Sequence, residues 1–208
     1  LRAITCNNPK KPIRASIFFH KSMERQVWWK DSISTEDCAI AQTKVDGVDT
    51  LIVSCYMDGD DVECPSPDLK KSVEHAKRHN IALIIGTDAN AHNTAWKSRI
   101  CDQKRKERGD KLLEYILAND LFIENAGDIP TFDNGRWTNS IDLTITNKAG
   151  HNLVAGWRVV DKDRVENSSD HKIIAFKSTG STLLDRQNFR DISKTNWENY
   201  ESDLNTRM

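Results

Sequence analysis

Several short apolar runs in this chain start or stop at an acidic or phenolic residue, and this pattern constrains the fold more than any other feature. Residues 81–87, IALIIGT, are too few for an ordinary buried helix and read as a buried strand, followed at once by Asp88-Ala89-Asn90. LIVSCY (51–56) stops in the same way at Tyr56. NSIDLTIT (139–146) alternates, with Ile141, Leu143 and Ile145 on one face and Asp142 on the other. In SSDHKIIAF (168–176), Asp170 and His171 stand directly before another apolar run.

The rest of the chain fits strands joined by hairpins, with few helices. EDCAIAQTKV and DTLIVSCYM flank Asp46-Gly47, a strong hairpin turn signal. PIRASIFFH (12–20), LFIEN (121–125), NLVAGWRVV (152–160) and DHKIIAFK (170–177) read as further strands. Ser66-Pro67 is a good cap and first helical residue, and Leu69, Val73 and Ala76 keep helical spacing, which predicts a helix over 67–79. A second helix is expected over about 110–119, with Leu112, Leu113, Ile116 and Leu117 on one side. The expected class is α+β, with two packed, mainly antiparallel sheets flanked by helices. Residues 181–208 are polar, with one weakly amphipathic helix from Thr195, and read as a linker.

Composition removes some function classes. No apolar run is long enough to cross a bilayer, so no membrane partner is expected. Five cysteines, an odd number with no C-x-x-C pair, suit a reducing compartment, cytosol or nucleus. His75 and His79 are four apart, but Lys77 and Arg78 lie between them, which fits a solvated basic helix face better than a metal pair. The net charge of −1 argues against a uniformly basic nucleic-acid coat protein. Residues 97–108, KSRICDQKRKER, still gather six basic residues against two acidic ones. Lys104, Arg105, Lys106 and Arg108 could hold a phosphate backbone there, or form a plain charged surface.

Taken singly, each polar strand end has a bland explanation. Asp88 and Asn90 could form an Asx turn, Asp142 could face solvent, and Tyr56 could be a core aromatic with a wet tip. Taken together and in this order, Tyr56, Asp88-x-Asn90, Asp142 and Asp170-His171 resemble the endonuclease/exonuclease/phosphatase superfamily. Within it the chain looks most like the apurinic-endonuclease-like domain of non-LTR retrotransposons. GTDANAHNTAWKS, RGDKLLEYI, NAGDIPTFDNGRWTNSIDLTIT, AGWRVV and SSDHKIIAF carry the likeness, over residues 12–177. NFRDISKTNWENY is similar to the segment such polyproteins place before reverse transcriptase.

The resemblance implies a four-layered α/β sandwich with its site at one edge of two sheets. It implies an endonuclease domain over 1–180, with 181–208 leading toward the reverse transcriptase of the same polyprotein. The implied activity is nicking of double-stranded DNA by phosphodiester hydrolysis, leaving a 3′-hydroxyl primer, in the nucleus. The implied cofactor is Mg²⁺, with Mn²⁺ as an alternative, because hard cations suit oxygen ligands and polarise phosphoryl oxygens. Asp170 would be the metal ligand and Asp88 would orient or deprotonate water. Asn90, His171 and Tyr56 would donate to the phosphate, and Asp142 would fix the His171 tautomer. Arg136 and Trp137, in the DNGRWTNS turn, would reach toward a DNA groove.

The family pattern opens with a strand carrying Asn and a strand ending in Gln-Glu, whose Glu is a principal metal ligand. Neither string is present, Leu1 falls after both, and Glu24, Glu36 and Glu63 lack a matching context. The expected domain is therefore incomplete at its N-terminus and weak in Mg²⁺ binding and nicking. An inactive DNA-binding remnant and a small-molecule phosphatase of the same superfamily are the alternative readings.

Overall fold

The computed structural model describes residues 1–6, 10–160 and 169–179, with only the backbone at Asp31; the expected linker at 181–208 lies outside them. Strands are β1 (Arg2–Ile4), β2 (Ile17–Phe19), β3 (Val27–Trp29), β4 (Cys38–Val45), β5 (Val48–Tyr56) and β6 (Ala82–Asp88). They continue with β7 (Phe122–Ile123), β8 (Phe132–Asp133), β9 (Thr138–Asn139), β10 (Asp142–Thr146), β11 (Val154–Val159) and β12 (Ile174–Ser178). The helices are α1 (Pro67–His79), α2 (Gln103–Ala118) and the short α3 (Lys148–His151).

A six-stranded mixed sheet, ordered β3-β4-β5-β6-β10-β7, organises the fold, beside the separate pairs β1-β2, β8-β9 and β11-β12. Asp46 (φ 51°) and Gly47 (φ 80°) both adopt the left-handed conformation that a two-residue hairpin demands, and they fix the β4–β5 register at Val45↔Val48. β5 and β6 run parallel and are linked through α1, whereas β10 returns antiparallel to β6.

Alternation along the strands separates two faces. Leu51, Val53, Leu83, Ile85, Leu143 and Ile145 pack in one core with Leu69, Val73 and Ala76 of α1 and Leu112 and Ile116 of α2. Each Leu, Ile or Val among them contributes roughly 1.5–3 kcal/mol when fully buried. On the opposite face Ala82 and Ile84 pack against Leu153 and Val154, where β11 begins. Trp157 of β11 donates its indole N–H to Thr144 Oγ1 at 2.9 Å, tying the β11–β12 pair to β10.

Two expected boundaries move. The second helix begins at Gln103 rather than near residue 110, because Asp102 caps it and accepts from the Arg105 N–H at 2.7 Å. The charged first turns carry little apolar periodicity, which hid them. Of the run 12–20 only Ile17–Phe19 pairs as a strand, with Arg2–Ile4, while the N–H groups of Arg14 and Ala15 donate to the Glu36 carbonyl.

α2 docks closely on the loop after β6. A Cβ on Gly109 would stand 2.0 Å from the His92 carbonyl oxygen. Alanine in a helix interior normally stabilises by about 1 kcal/mol over glycine. Here the clash reverses the sign, and Gly109→Ala should destabilise by about 1–3 kcal/mol in urea unfolding. Gly86→Ala, whose Cβ would meet nothing within 4 Å, should be close to neutral. Equal stability of the two variants would contradict the close approach.

Candidate active site

Strand register assembles the site. Tyr56 on β5 is paired with Asp88 on β6, and Asp88 is paired with Asp142 on β10. The three side chains therefore form one row across three strands, on the face away from α1 and α2. His171, in the segment leading into β12, closes over this row. Its Nδ1 stands 2.9 and 3.0 Å from the two Asp142 carboxylate oxygens, and its Nε2 is 3.9 Å from Asp88 Oδ2. A cleft of about 720 Å³ opens here, with Arg14, Tyr56, Asp88, Asp142, His171 and Phe176 in its wall.

Each member is held by its neighbours. The Asp142 N–H donates to Thr131 Oγ1 at 3.0 Å, and the Asp142 carbonyl accepts from Asn125 Nδ2 at 2.9 Å. His171 forms a β-bridge with Phe132 and meets its ring edge-on at 5.1 Å between centroids. Asp88 Oδ1 accepts from the Asn90 N–H at 3.2 Å, the Asx-turn contact, and Oδ2 accepts from Asn90 Nδ2 at 3.3 Å. Asn90 Nδ2 also donates to the Met57 carbonyl at 3.1 Å. The structural and functional readings of Asp-x-Asn thus coexist in one turn.

The electrostatics follow from this crowding. Burial, reinforced by the Asp142 charge, pushes the Asp88 carboxyl up to about 6. The hydrogen bond to Asp142 raises the imidazole of His171 above its ordinary value, against the opposing effect of burial. Burial and then the Asp58 charge push the Tyr56 phenol up, so it remains a hydrogen-bond donor at neutral pH.

A second cluster frames Tyr56. The Arg14 guanidinium lies 4.5 Å from the centre of the Tyr56 ring. It donates to Asp37 at 2.5 and 2.7 Å and to Asp58 at 2.7 Å. Arg14, Asp37, Asp58, Thr131 and Asn125 are site neighbours that sequence reasoning missed. No local signal marks them, because they meet only through the fold.

The other expected residues divide. Asp170 is exposed; its carbonyl accepts from the Asp133 N–H at 2.8 Å, and its charge adds to the raised pKa of His171. Among the described residues, the donor atoms that gather within 4.8 Å of one another belong to Asp88, Asp142 and His171, and Asp170 is outside that set. The two carboxylates suit a divalent cation, whereas His171 Nδ1 is already engaged with the Asp142 oxygens and a protonated ring offers a cation no lone pair. Lys104, Arg105 and Lys106 are on the first turns of α2 and pair with Asp60, Asp102 and Asp110. Such exposed pairs are worth about 0–1 kcal/mol and open readily. Arg108 was expected beside them at the surface, but it is 4% exposed, with its guanidinium on the carbonyls of Asn90 and Asp61. It therefore cannot contact DNA as arranged. Arg136 and Trp137 sit in the turn joining β8 and β9, where Asn134 Oδ1 accepts from both backbone N–H groups; Trp137 is 67% exposed. Trp96, at 2%, is core.

Fold and site together define a retrotransposon-type endonuclease domain of the endonuclease/exonuclease/phosphatase superfamily. Residues 50–175 match the endonuclease–reverse transcriptase family, and the chain belongs to it. Over 122 residues, 56% of this chain, it is 31% identical to the 115 kDa protein in the type-1 retrotransposable element R1DM of Drosophila melanogaster. It spans only 12% of that relative. Among solved structures it is similar to the endonuclease domain of TRAS1, a telomere-specific non-LTR retrotransposon. The identity there is 26% and the TM-score 0.65, over 86% of this chain and 80% of that one. The AP endonuclease LMAP from Leishmania major shares the fold at 12% identity and TM-score 0.54, over 69% and 54% of the two chains.

The raised carboxyl gives a signed stability prediction. Asp88 holds its proton more tightly folded than unfolded. Its contribution is therefore complete below about pH 4 and is lost as pH rises through about 6. Asp88→Asn should match the parent in stability near pH 4 and exceed it by about 3 kcal/mol at pH 8. Urea unfolding at both pH values checks this; a pH-independent difference would contradict a buried, strained carboxylate.

Proposed function

We propose that this domain is a divalent-metal-dependent endonuclease that nicks double-stranded DNA, leaving a 3′-hydroxyl from which the polyprotein's reverse transcriptase extends. The observation that carries the reading is the cluster itself: Asp88 in register with Asp142, the His171 ring 2.9 Å from Asp142 and 3.9 Å from Asp88, and burial raising the Asp88 carboxyl to about 6. A base with a pKa near the working pH combines the correct protonation state with proton-transfer driving force. Asp88 takes the proton of the attacking water as the water oxygen bonds to phosphorus and the P–O3′ bond breaks, and the leaving 3′ oxygen gains a proton from solvent to become the 3′-hydroxyl. Asp142 holds His171 with Nδ1–H toward itself, and the protonated ring presents Nε2–H to the phosphate. Tyr56 supplies a further donor, acting where charge develops, and Asn90 adds one when the phosphate displaces one of its present acceptors, Met57 or Asp88. A bound Mg²⁺ or Mn²⁺, with Asp170 as its proposed ligand, would supply charge neutralisation at the phosphate. Lys104, Arg105 and Lys106 contact phosphates without reading sequence, whereas Arg136 and Trp137 act on which sites are cut.

The test is relaxation of supercoiled plasmid, by the chain alone and extended upstream by a strand ending in Gln-Glu. With Mg²⁺ at least the extended form should nick; with EDTA neither should. The rate should rise through about pH 6 as Asp88 ionises and fall at higher pH as His171 loses its proton. His171→Ala should lower the rate roughly 10²–10³-fold. Asp142→Asn should move both limbs to lower pH, since Asp142 raises both pKa values. Replacing Lys104, Arg105 and Lys106 together should flatten the salt dependence of binding. Metal-independent nicking, or unmoved limbs in Asp142→Asn, would overturn the reading; hydrolysis of small phosphoesters without nicking would make the domain a phosphatase.

A further inference from the structure

Arg108 is a buried cation that the proposed chemistry does not use. It occupies a core position of α2, one turn before Leu112 and two before Ile116. Burying a guanidinium is costly unless its donors are satisfied and its charge is matched. Here Asp58 feels its charge but is paired with Arg14 instead, and Nη2 is buried with no hydrogen-bond partner. A Leu or Met would fill the same position without that cost. The fork instead spans two loops that converge on the site. Nε donates to the Asn90 carbonyl at 3.3 Å and Nη1 donates to the Asp61 carbonyl at 2.5 Å.

Those two loops hold the site's polar groups. Asn90 has φ 45°, a left-handed backbone that an Asn tolerates but that still has to be held. Its amide links Asp88 to the Met57 carbonyl, so the loop after β5 and the turn after β6 meet on this one side chain. Gly59 leaves room for that meeting, since a Cβ there would lie 3.4 Å from Asn90 Cβ. Asp58 of the same loop holds Arg14 over Tyr56. α2 reinforces the arrangement, with the Arg105 carbonyl accepting from the His92 N–H at 2.9 Å.

We propose that Arg108 is a positioning residue whose guanidinium fork locks the 57–61 loop to the Asn90 turn and so fixes the Asn90 amide and the Asp88 carboxylate for reaction. The proposal rests on reading this site as a phosphodiester-cleaving centre. Misplacement of reacting groups by about an ångström can lower a rate by about 10²-fold. The expected signature is a fall in kcat with little change in KM, because Arg108 touches no substrate.

The experiment compares Arg108→Met, Arg108→Lys and Leu112→Ala, the last removing apolar contacts from the same helix. Two readouts are followed: plasmid nicking, in whichever form of the chain is active, and the side-chain ¹H–¹⁵N signals of Asn90. Arg108→Met should lower kcat about tenfold or more with KM little changed, and should shift or broaden the Asn90 amide signals. Arg108→Lys keeps the charge but cannot span both carbonyls, so it should behave in the same direction. Leu112→Ala should lose stability yet leave kcat and the Asn90 signals near parental. If Arg108→Met does not fold, Arg108→Lys carries the test alone. Parental kcat and unmoved Asn90 signals in Arg108→Lys would overturn the fork. If neither the chain nor its extended form nicks DNA, the functional reading fails, and the Asn90 signals still decide the clamp: a shift supports it and no shift overturns it.

Discussion

Two carboxylates held opposite each other on neighbouring strands are the constraint on which the rest of the structure depends. Asp88 and Asp142 are direct cross-strand partners, and like charges in that relation repel. A surface pair could turn outward into water. This pair is half-buried at the end of the sheet, so burial first and the Asp142 charge second raise the Asp88 carboxyl to about 6, and the hydrogen bond to Asp142 raises the His171 imidazole. His171 offsets part of the cost by donating its Nδ1–H to the Asp142 carboxylate at 2.9 Å. The price of this arrangement is stability above pH 6, and its yield is a base and an acid side by side near neutrality.

The apolar face of the sheet maintains that strain. Strand side chains alternate, so slipping β6 by one residue would send Asp88 into the core and Ile85 into the cleft. Leu83, Ile85, Leu143 and Ile145 packed under α1 and α2 make that slip far costlier than the repulsion it would relieve. Core packing on one face thus holds the chemistry on the other. The loops complete it: Asn90, bridged to Met57 and clamped by Arg108, keeps the end of β6 from unwinding toward solvent.

Much of this was legible in the sequence, for definable reasons. The strands β5, β6 and β10 announced themselves by period and by their polar ends, and α1 by its Ser66-Pro67 cap. The pairing of Asp88 with Asp142 was not readable from either segment, because register is set by tertiary contacts; only the family resemblance brought the two together. Arg14 was invisible as a site neighbour, since its partners Asp37 and Asp58 lie 23 and 44 residues away. Arg108 was misread for a different reason. In a run of six basic residues it looked like its neighbours, yet it stands four residues before Leu112 and eight before Ile116, on the buried stripe of α2. Extending the helix back to the Asp102 cap would have revealed it.

The central claim is that strand register binds Asp88, Asp142 and His171 into one proton-linked cluster. Carboxyl and imidazole NMR titration of the chain, beside Asp142→Asn, tests it most directly. The account predicts that Asp88 titrates near 6 in the parent and lower in the variant, with the His171 midpoint falling in the same step. An Asp88 carboxyl titrating near 4 in both, or a His171 midpoint indifferent to residue 142, would contradict it.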